Sequence, residues 1–355
     1  MRLLGSKRRC NGGIRRRNVR VFLRKLAYFS LDAVKRVLLI CVGLLVAVFA
    51  GAIIFGGPRT PPPMASINDP FSSVDFSDLP PLAKFTTRDG TQLAYRAYPS
   101  TTAIPNEGSV VLIHGSSATS SSMHPMAKAF SAAGYRVFAL DIRGHGASGR
   151  KGQIAYIGQL EDDLADFMHA VSPPKPVTLA GFSSGGGFAI RIAGSNRQQL
   201  FQSYLLLAPF LSQDAPTQRS GSGGWTSVGV PRIIAIAILN GFGIKVFNSL
   251  PVLRFAVSDS ARAILTPEYS YALETNFRPH RDYLADLRHM DQPFRILIGA
   301  NDDIYYPDRL AEVMKQAGKD TEVTVIPEVD HIHLILSSVA LKKSIEALNS
   351  LRSQQ

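Results

Sequence analysis

The hydrophobic pattern changes character three times along the chain. From Val37 to Phe55 (VLLICVGLLVAVFAGAIIF) no position is charged. A helix over these 19 residues rises about 28 Å at ~1.5 Å per residue, close to the thickness of a bilayer core. Residues 57–83 then hold seven prolines with Ser and Asp between them, the composition of an extended, semi-rigid spacer. Beyond Lys84 short apolar runs alternate with amphipathic stretches. The runs are Ser109–Ile113, Val137–Ile142, Val177–Ala180, Tyr204–Ala208, Arg295–Gly299 and Glu322–Ile326. Residues near 124–133, 158–171, 185–194, 308–317 and 334–352 carry helical spacing. Such alternation predicts an α/β fold, with a mostly parallel central sheet covered by helices on both faces. Phe85–Tyr98 alternates around Asp89-Gly90, a hairpin signal.

One interval breaks the rhythm. Between Pro209 and Pro293 no clear strand is seen, and Val228–Val257 is strongly apolar. Its longest uncharged stretch, Ile233–Ile244, has 12 residues, too short to cross a bilayer. It is expected to be a helical lid inserted over one end of the sheet. The expected organisation is a basic tail (1–36), a transmembrane helix (37–56), a Pro-rich linker (57–83), a core (84–210 and 291–355) and a lid (211–290).

Charge sharpens this division. The net charge is +12, but residues 1–36 hold 12 of the 39 Lys/Arg and one of the 27 acids. That leaves 27 cations against 26 acids, so the body is nearly neutral. A nucleic-acid partner would call for a basic patch on the body itself, and none is expected. Cations before the apolar run and Arg59 alone close behind it place the N-terminus in the cytoplasm and the body on the other side of the membrane. A cleaved signal peptide is the alternative, though the apolar run exceeds the usual ~7–15 residues. The two cysteines, Cys10 and Cys41, leave the body without a disulfide or a thiolate metal site.

The chemistry centres on Gly181-Phe182-Ser183-Ser184-Gly185. A G-x-S-x-G between an apolar run and a helical stretch is what a nucleophile elbow requires, with small residues flanking a sharp turn. Ser183 is the candidate nucleophile, and the N–H of Ser184 a candidate oxyanion donor. A second donor is expected from the loop after an earlier strand, where His114-Gly115-Ser116 offers the N–H of Ser116. His114 is read as packing and holding that loop. The base is expected last in the chain. His331, in Val329-Asp330-His331-Ile332-His333, is favoured, with His333 as competitor and Asp330 as a turn or cap. The acid is expected after Arg295–Gly299, where Asp302 is favoured over Asp303, with Asp214 a further option.

Taken together, HGSS, DIRGHGASG, GFSSGGG, GANDDIYYP and VDHIH resemble the α/β-hydrolase superfamily, within it the monoacylglycerol lipases and lysophospholipase-type esterases, over about residues 84–355. The resemblance implies Ser183, Asp302 and His331 as the catalytic triad, Ser116 and Ser184 as the oxyanion hole, and a structural role for His145. One departure is Asp330, where many relatives have Gly. Dehalogenases and epoxide hydrolases of this fold carry Asp at the elbow, so Ser183 favours acyl-enzyme chemistry. No cofactor or metal is implied. The expectation is a membrane-anchored carboxylester hydrolase acting on lipid-like esters. An acyltransferase, thioesterase or amidase would share the triad, and a non-catalytic membrane-tethered module is the reading from another class.

Overall fold

The computed structural model describes residues 13–102 and 108–354. Residues 1–12, the start of the basic tail with Cys10, lie outside the described residues. The chain divides into two units, 1–55 and 56–355. The first is one helix, Gly13–Phe55, of 43 residues. Its last 24 residues, Asp32–Phe55, include a stretch with a mean hydropathy of 3.1 and are long and apolar enough to cross a membrane; a signal sequence would meet the same criteria.

The second unit is built on an eight-stranded sheet. Its strands are β1 (Ala83–Thr86), β2 (Gln92–Tyr98), β3 (Ser109–Ile113), β4 (Arg136–Leu140), β5 (Val177–Phe182) and β6 (Ser203–Leu207). After an insertion containing β7 (Thr226–Val228), β8 (Pro251–Phe255) and β9 (Glu268–Ser270) come β10 (Phe294–Gly299) and β11 (Val323–Ile326). The spatial order is β1-β2-β4-β3-β5-β6-β10-β11. Pairings from β4 through β11 in that order are parallel, and β1 and β2 are antiparallel. The central strands β3, β5 and β6 are buried along their whole length. This is why they read as continuous apolar runs rather than as alternation. All the loops that matter below leave the C-terminal ends of parallel strands, the edge where such sheets bind ligands.

Residues 56–83 carry more structure than a spacer. They form the short helices Ala65–Asn68 and Asp69–Ser73 and pack on the body. Ile67 is buried in the core, with Met64 and Phe71 packed against it. The apolar side chains spaced among the prolines make this a strap fastened to the surface. The insertion is also mixed. It carries the helix Val230–Gly241 beside the antiparallel sheet β7-β8-β9, whose strands of 3, 5 and 3 residues are too short to show a period.

Arg143, in the Arg143-Gly144-His145-Gly146 segment, is buried and structural. Its guanidinium makes two 2.7 Å hydrogen bonds to Asp163 and further ones to Thr87, Thr91 and Asp89. It joins the β1–β2 turn to the helix Gln159–Val171, and a fork of this kind supplies geometry as well as charge.

Candidate active site

Ser183 sits between the end of β5 and the helix Ser184–Ala193, at φ 54° and ψ −118°. This backbone is unusual for a residue with a Cβ and persists only where its surroundings impose it. Here they do. The Ser183 N–H donates to the Leu207 carbonyl at 2.9 Å, and its own carbonyl accepts from Gly187 and Phe210, each at 3.0 Å. The flanking glycines are demanded by proximity. A Cβ on Gly181 would collide with the Gly185 carbonyl, and one on Gly185 would meet the carbonyls of Ile113 and His114. The turn lifts Ser183 Oγ above the sheet at a helix N-terminus, where developing negative charge is favoured.

Asp302, in the turn after β10, is fully buried. Its Oδ1 accepts the N–H groups of Ile304 (2.9 Å) and Tyr305 (2.8 Å), and its Oδ2 pairs with His331 Nδ1 at 2.8 Å. With Nδ1–H donating to the carboxylate, Nε2 of His331 carries the free lone pair. The imidazole follows β11 and packs between Phe182 (4.8 Å between ring centroids) and Tyr305 (5.2 Å, edge-on). Ser183 and His331 line one cavity of about 660 Å³. Ser183 Oγ hydrogen-bonds with the Tyr305 hydroxyl at 3.2 Å rather than with the imidazole. Burial raises the pKa of that phenol, so it stays protonated and able to donate.

Gly115 brings the loop after β3 against the nucleophile: a Cβ there would stand 3.4 Å from Ser183 Cβ. The Ser116 side chain accepts from Trp225 Nε1 at 3.0 Å. The N–H groups of Ser116 and Ser184 have no acceptor among the described residues. The competing groups lie elsewhere. His333 is half-exposed and pairs with Asp330, Nδ1 to Oδ2, at 2.7 Å, so the Asp330 carboxylate is engaged away from His331. Asp303 accepts from Ser66 Oγ at 2.7 Å, and Asp214 is exposed.

Two histidines hold the loop after β3 that carries Ser116. His114 donates from Nδ1 to the Gly115 carbonyl (2.7 Å), and its Nε2 accepts from Ile142 N–H (3.3 Å). His145 contacts the Ile142 carbonyl through Nδ1 (3.2 Å) and the Tyr269 hydroxyl through Nε2 (2.5 Å). That hydroxyl accepts from Ser117 N–H at 2.6 Å, which leaves its proton for His145. Both imidazoles are therefore neutral. Sequence reasoning missed Tyr305, Tyr269 and Trp225. Tyr305 lies three residues after the acid, but nothing in the chain places its hydroxyl; Tyr269 and Trp225 come from the insertion, across long sequence separations.

Comparison with known proteins bears on the family and the fold. The family model described as "Serine aminopeptidase, S33" matches residues 104–335. A monoacylglycerol lipase from Mycolicibacterium smegmatis is 40% identical over 86 residues, 22% of this chain and 30% of that one. A non-heme chloroperoxidase, CPO-A1, from Kitasatospora aureofaciens is 33% identical over 124 residues, 35% of this chain and 42% of the relative. The chain thus matches less than half the length of either. The crystal structure of a soluble variant of monoglyceride lipase from Saccharomyces cerevisiae, in complex with a substrate analogue, shares the fold. It has a TM-score of 0.58 and 19% identity, covering 78% of this chain and 96% of that one.

The buried histidines generate a pH dependence of stability. Burial pushes both imidazoles below the ordinary 6.5; His145 lies well below, with His114 beside it adding to the effect. Below pH ~6.5 the unfolded chain takes up protons on these rings that the folded chain refuses until lower pH. Stability is lost as pH falls through that window, by up to about 2.7 kcal/mol per pH unit for two protons. The urea midpoint is expected to be lower at pH 5.5 than at pH 7.5, and the difference is expected to shrink in His145→Gln.

Proposed function

Because the chain belongs to the serine aminopeptidase S33 family of α/β-hydrolases, we propose that it is a serine hydrolase of the esterase and lipase kind, cleaving lipid-like carboxylic esters through an acyl-enzyme on Ser183. The observation that carries the reading is the Asp302–His331 pair beside a strained Ser183 in one largely apolar cavity. Cavities of this size, apolar with a few convergent polar groups, suit small organic ligands.

In this reading Ser183 Oγ turns from Tyr305 to His331 Nε2, which takes its proton as the oxygen attacks the acyl carbonyl. The carbonyl oxygen becomes an oxyanion held by the N–H groups of Ser116 and Ser184; one such donor is typically worth about 3 kcal/mol in the transition state. Asp302 keeps the imidazole in the right tautomer and stabilises its protonated form. His331 then gives the proton to the departing alcohol, activates water against the acyl-enzyme, and returns a proton to Ser183. These steps call on groups of this chain alone.

Residues 37–56 supply a membrane anchor in the same proposal, with 1–36 as the basic tail before it. The N-terminus lies in the cytoplasm and the body on the opposite side, as 12 cations ahead of the apolar helix favour. Residues 84–210 and 291–355 form the catalytic core and 211–290 its lid.

Labelling by a fluorophosphonate is expected in the intact chain and absent in Ser183→Ala, with p-nitrophenyl ester hydrolysis lost in parallel. An unlabelled intact chain would favour a non-catalytic module, and faster turnover of leucine p-nitroanilide than of any ester would favour the amidase alternative. For topology, alkaline phosphatase fused to the C-terminus is expected to be active in intact cells; activity of a C-terminal reporter confined to the cytoplasm would contradict the orientation.

A further inference from the structure

One wall of the cavity comes from outside the region that defines the family. The family match begins at residue 104, yet Ile67, Phe71, Phe76 and Leu79 of the strap line the same space as Ser183 and His331. The strap is stitched down at both ends. Near its start, Met64 N–H donates to the Ala256 carbonyl at 3.0 Å. Asn68 Nδ2 donates to the same carbonyl at 3.0 Å, and Asn68 Oδ1 accepts from Ser258 N–H at 3.4 Å. Ser66 Oγ donates to Asp303, the neighbour of the acid, at 2.7 Å. Near its end, Asp78 pairs with Lys128 at 2.5 Å and with His124 Nε2 at 3.0 Å. Between these stitches, the hydrogen bonds of Phe71–Ser77 among the described residues stay within the strap. Its middle is held over the cavity by apolar side chains.

From this placement we infer that the strap is the acyl-chain wall of the site, and that Phe71 and Leu79 set which chain lengths are hydrolysed. The inference rests on the ester-hydrolase reading and goes beyond it by naming the specificity-determining residues. Ser116, Ser183 and His331 are among the polar groups that line the cavity. Its apolar surface includes Phe71, Phe76 and Leu79 with Ile332 and Ile335, which follow directly after the base. An ester bound with its carbonyl at Ser183 would bury methylenes against these side chains and against Trp225, Ile264 and Leu265 of the insertion, which line the same cavity. Each methylene removed from water there strengthens binding about fourfold. In the sequence the strap follows directly on the apolar helix, since Gly56 follows Phe55. The segment that tethers the body therefore also completes its binding site, and a fragment beginning after Pro80 would lack the wall.

The test compares kcat/KM for p-nitrophenyl butyrate, octanoate and dodecanoate in the full chain purified in detergent. The variants are Phe71→Ala, which removes part of the wall, and Leu79→Trp, which moves it inward. Asp320→Ala, exposed, outside the strap and not among the cavity's lining residues, serves as control. The dodecanoate-to-butyrate ratio is expected to fall about fifteenfold in both wall variants, as for two methylenes losing their contacts, and to stay at the unaltered value in the control. An unchanged ratio in both wall variants, with esters still hydrolysed, would overturn the strap's role. If the intact chain hydrolyses no ester, the hydrolase reading fails separately, and titration with 11-(dansylamino)undecanoic acid decides the wall. Weaker binding by both wall variants than by the control upholds it, and equal binding overturns it.

Discussion

The structure depends on a single enforced turn. Ser183 occupies a backbone conformation that a residue with a Cβ avoids, and three main-chain hydrogen bonds from β6, the following helix and the loop after β6 hold it there. The close approach of Gly181 to Gly185, and of Gly185 to the end of β3, makes a larger side chain at either glycine incompatible with the turn. Strain of about 1–3 kcal/mol at one residue is tolerable only because the buried strands on each side are rigid. In return the hydroxyl stands clear of the sheet, with a helix N-terminus beneath it.

Around that turn the polar groups are paired with little left over. Asp302 has both oxygens occupied, one by two N–H groups and one by the imidazole, which suits a carboxylate that must stay ionised while buried. The loop after β3 is held from two sides. His114 binds its carbonyl from within the core, and Tyr269 and Thr266 of the insertion hold Ser117, through the Ser117 N–H and through a pair of bonds at 2.7 and 2.8 Å. The insertion is thereby coupled to the loop that carries Ser116. Those hydrogen bonds are buried, and such bonds are costly to break in a low-dielectric interior.

Much of this was legible in the chain. The six apolar runs each fall on a strand of the sheet within one or two residues, and β3, β5 and β6, buried along their whole length, are apolar throughout for that reason. The G-x-S-x-G segment identified its turn because the glycines answer a steric demand that any sequence making this turn must meet. The strap and the insertion were less readable. Ile67, Phe71 and Leu79 are isolated apolar residues among prolines, and only the cavity they line gives them meaning. Strands β7 and β9 have too few residues for a period, and the hydroxyls of Tyr305 and Tyr269 acquire roles through contacts across more than 120 residues of chain. Local pattern reports periodicity and steric need; convergence of distant side chains leaves no local mark.

The central claim is that Ser183 carries the acyl group during turnover. Mass spectrometry of a His331→Ala variant, quenched after incubation with p-nitrophenyl octanoate and digested, tests it most directly. Without the base that activates water, deacylation is expected to lag behind the slowed acylation. An octanoyl increment confined to the peptide containing Ser183 is the predicted result. An increment on a different residue, or none on Ser183 while the unaltered chain hydrolyses the ester, would contradict the account.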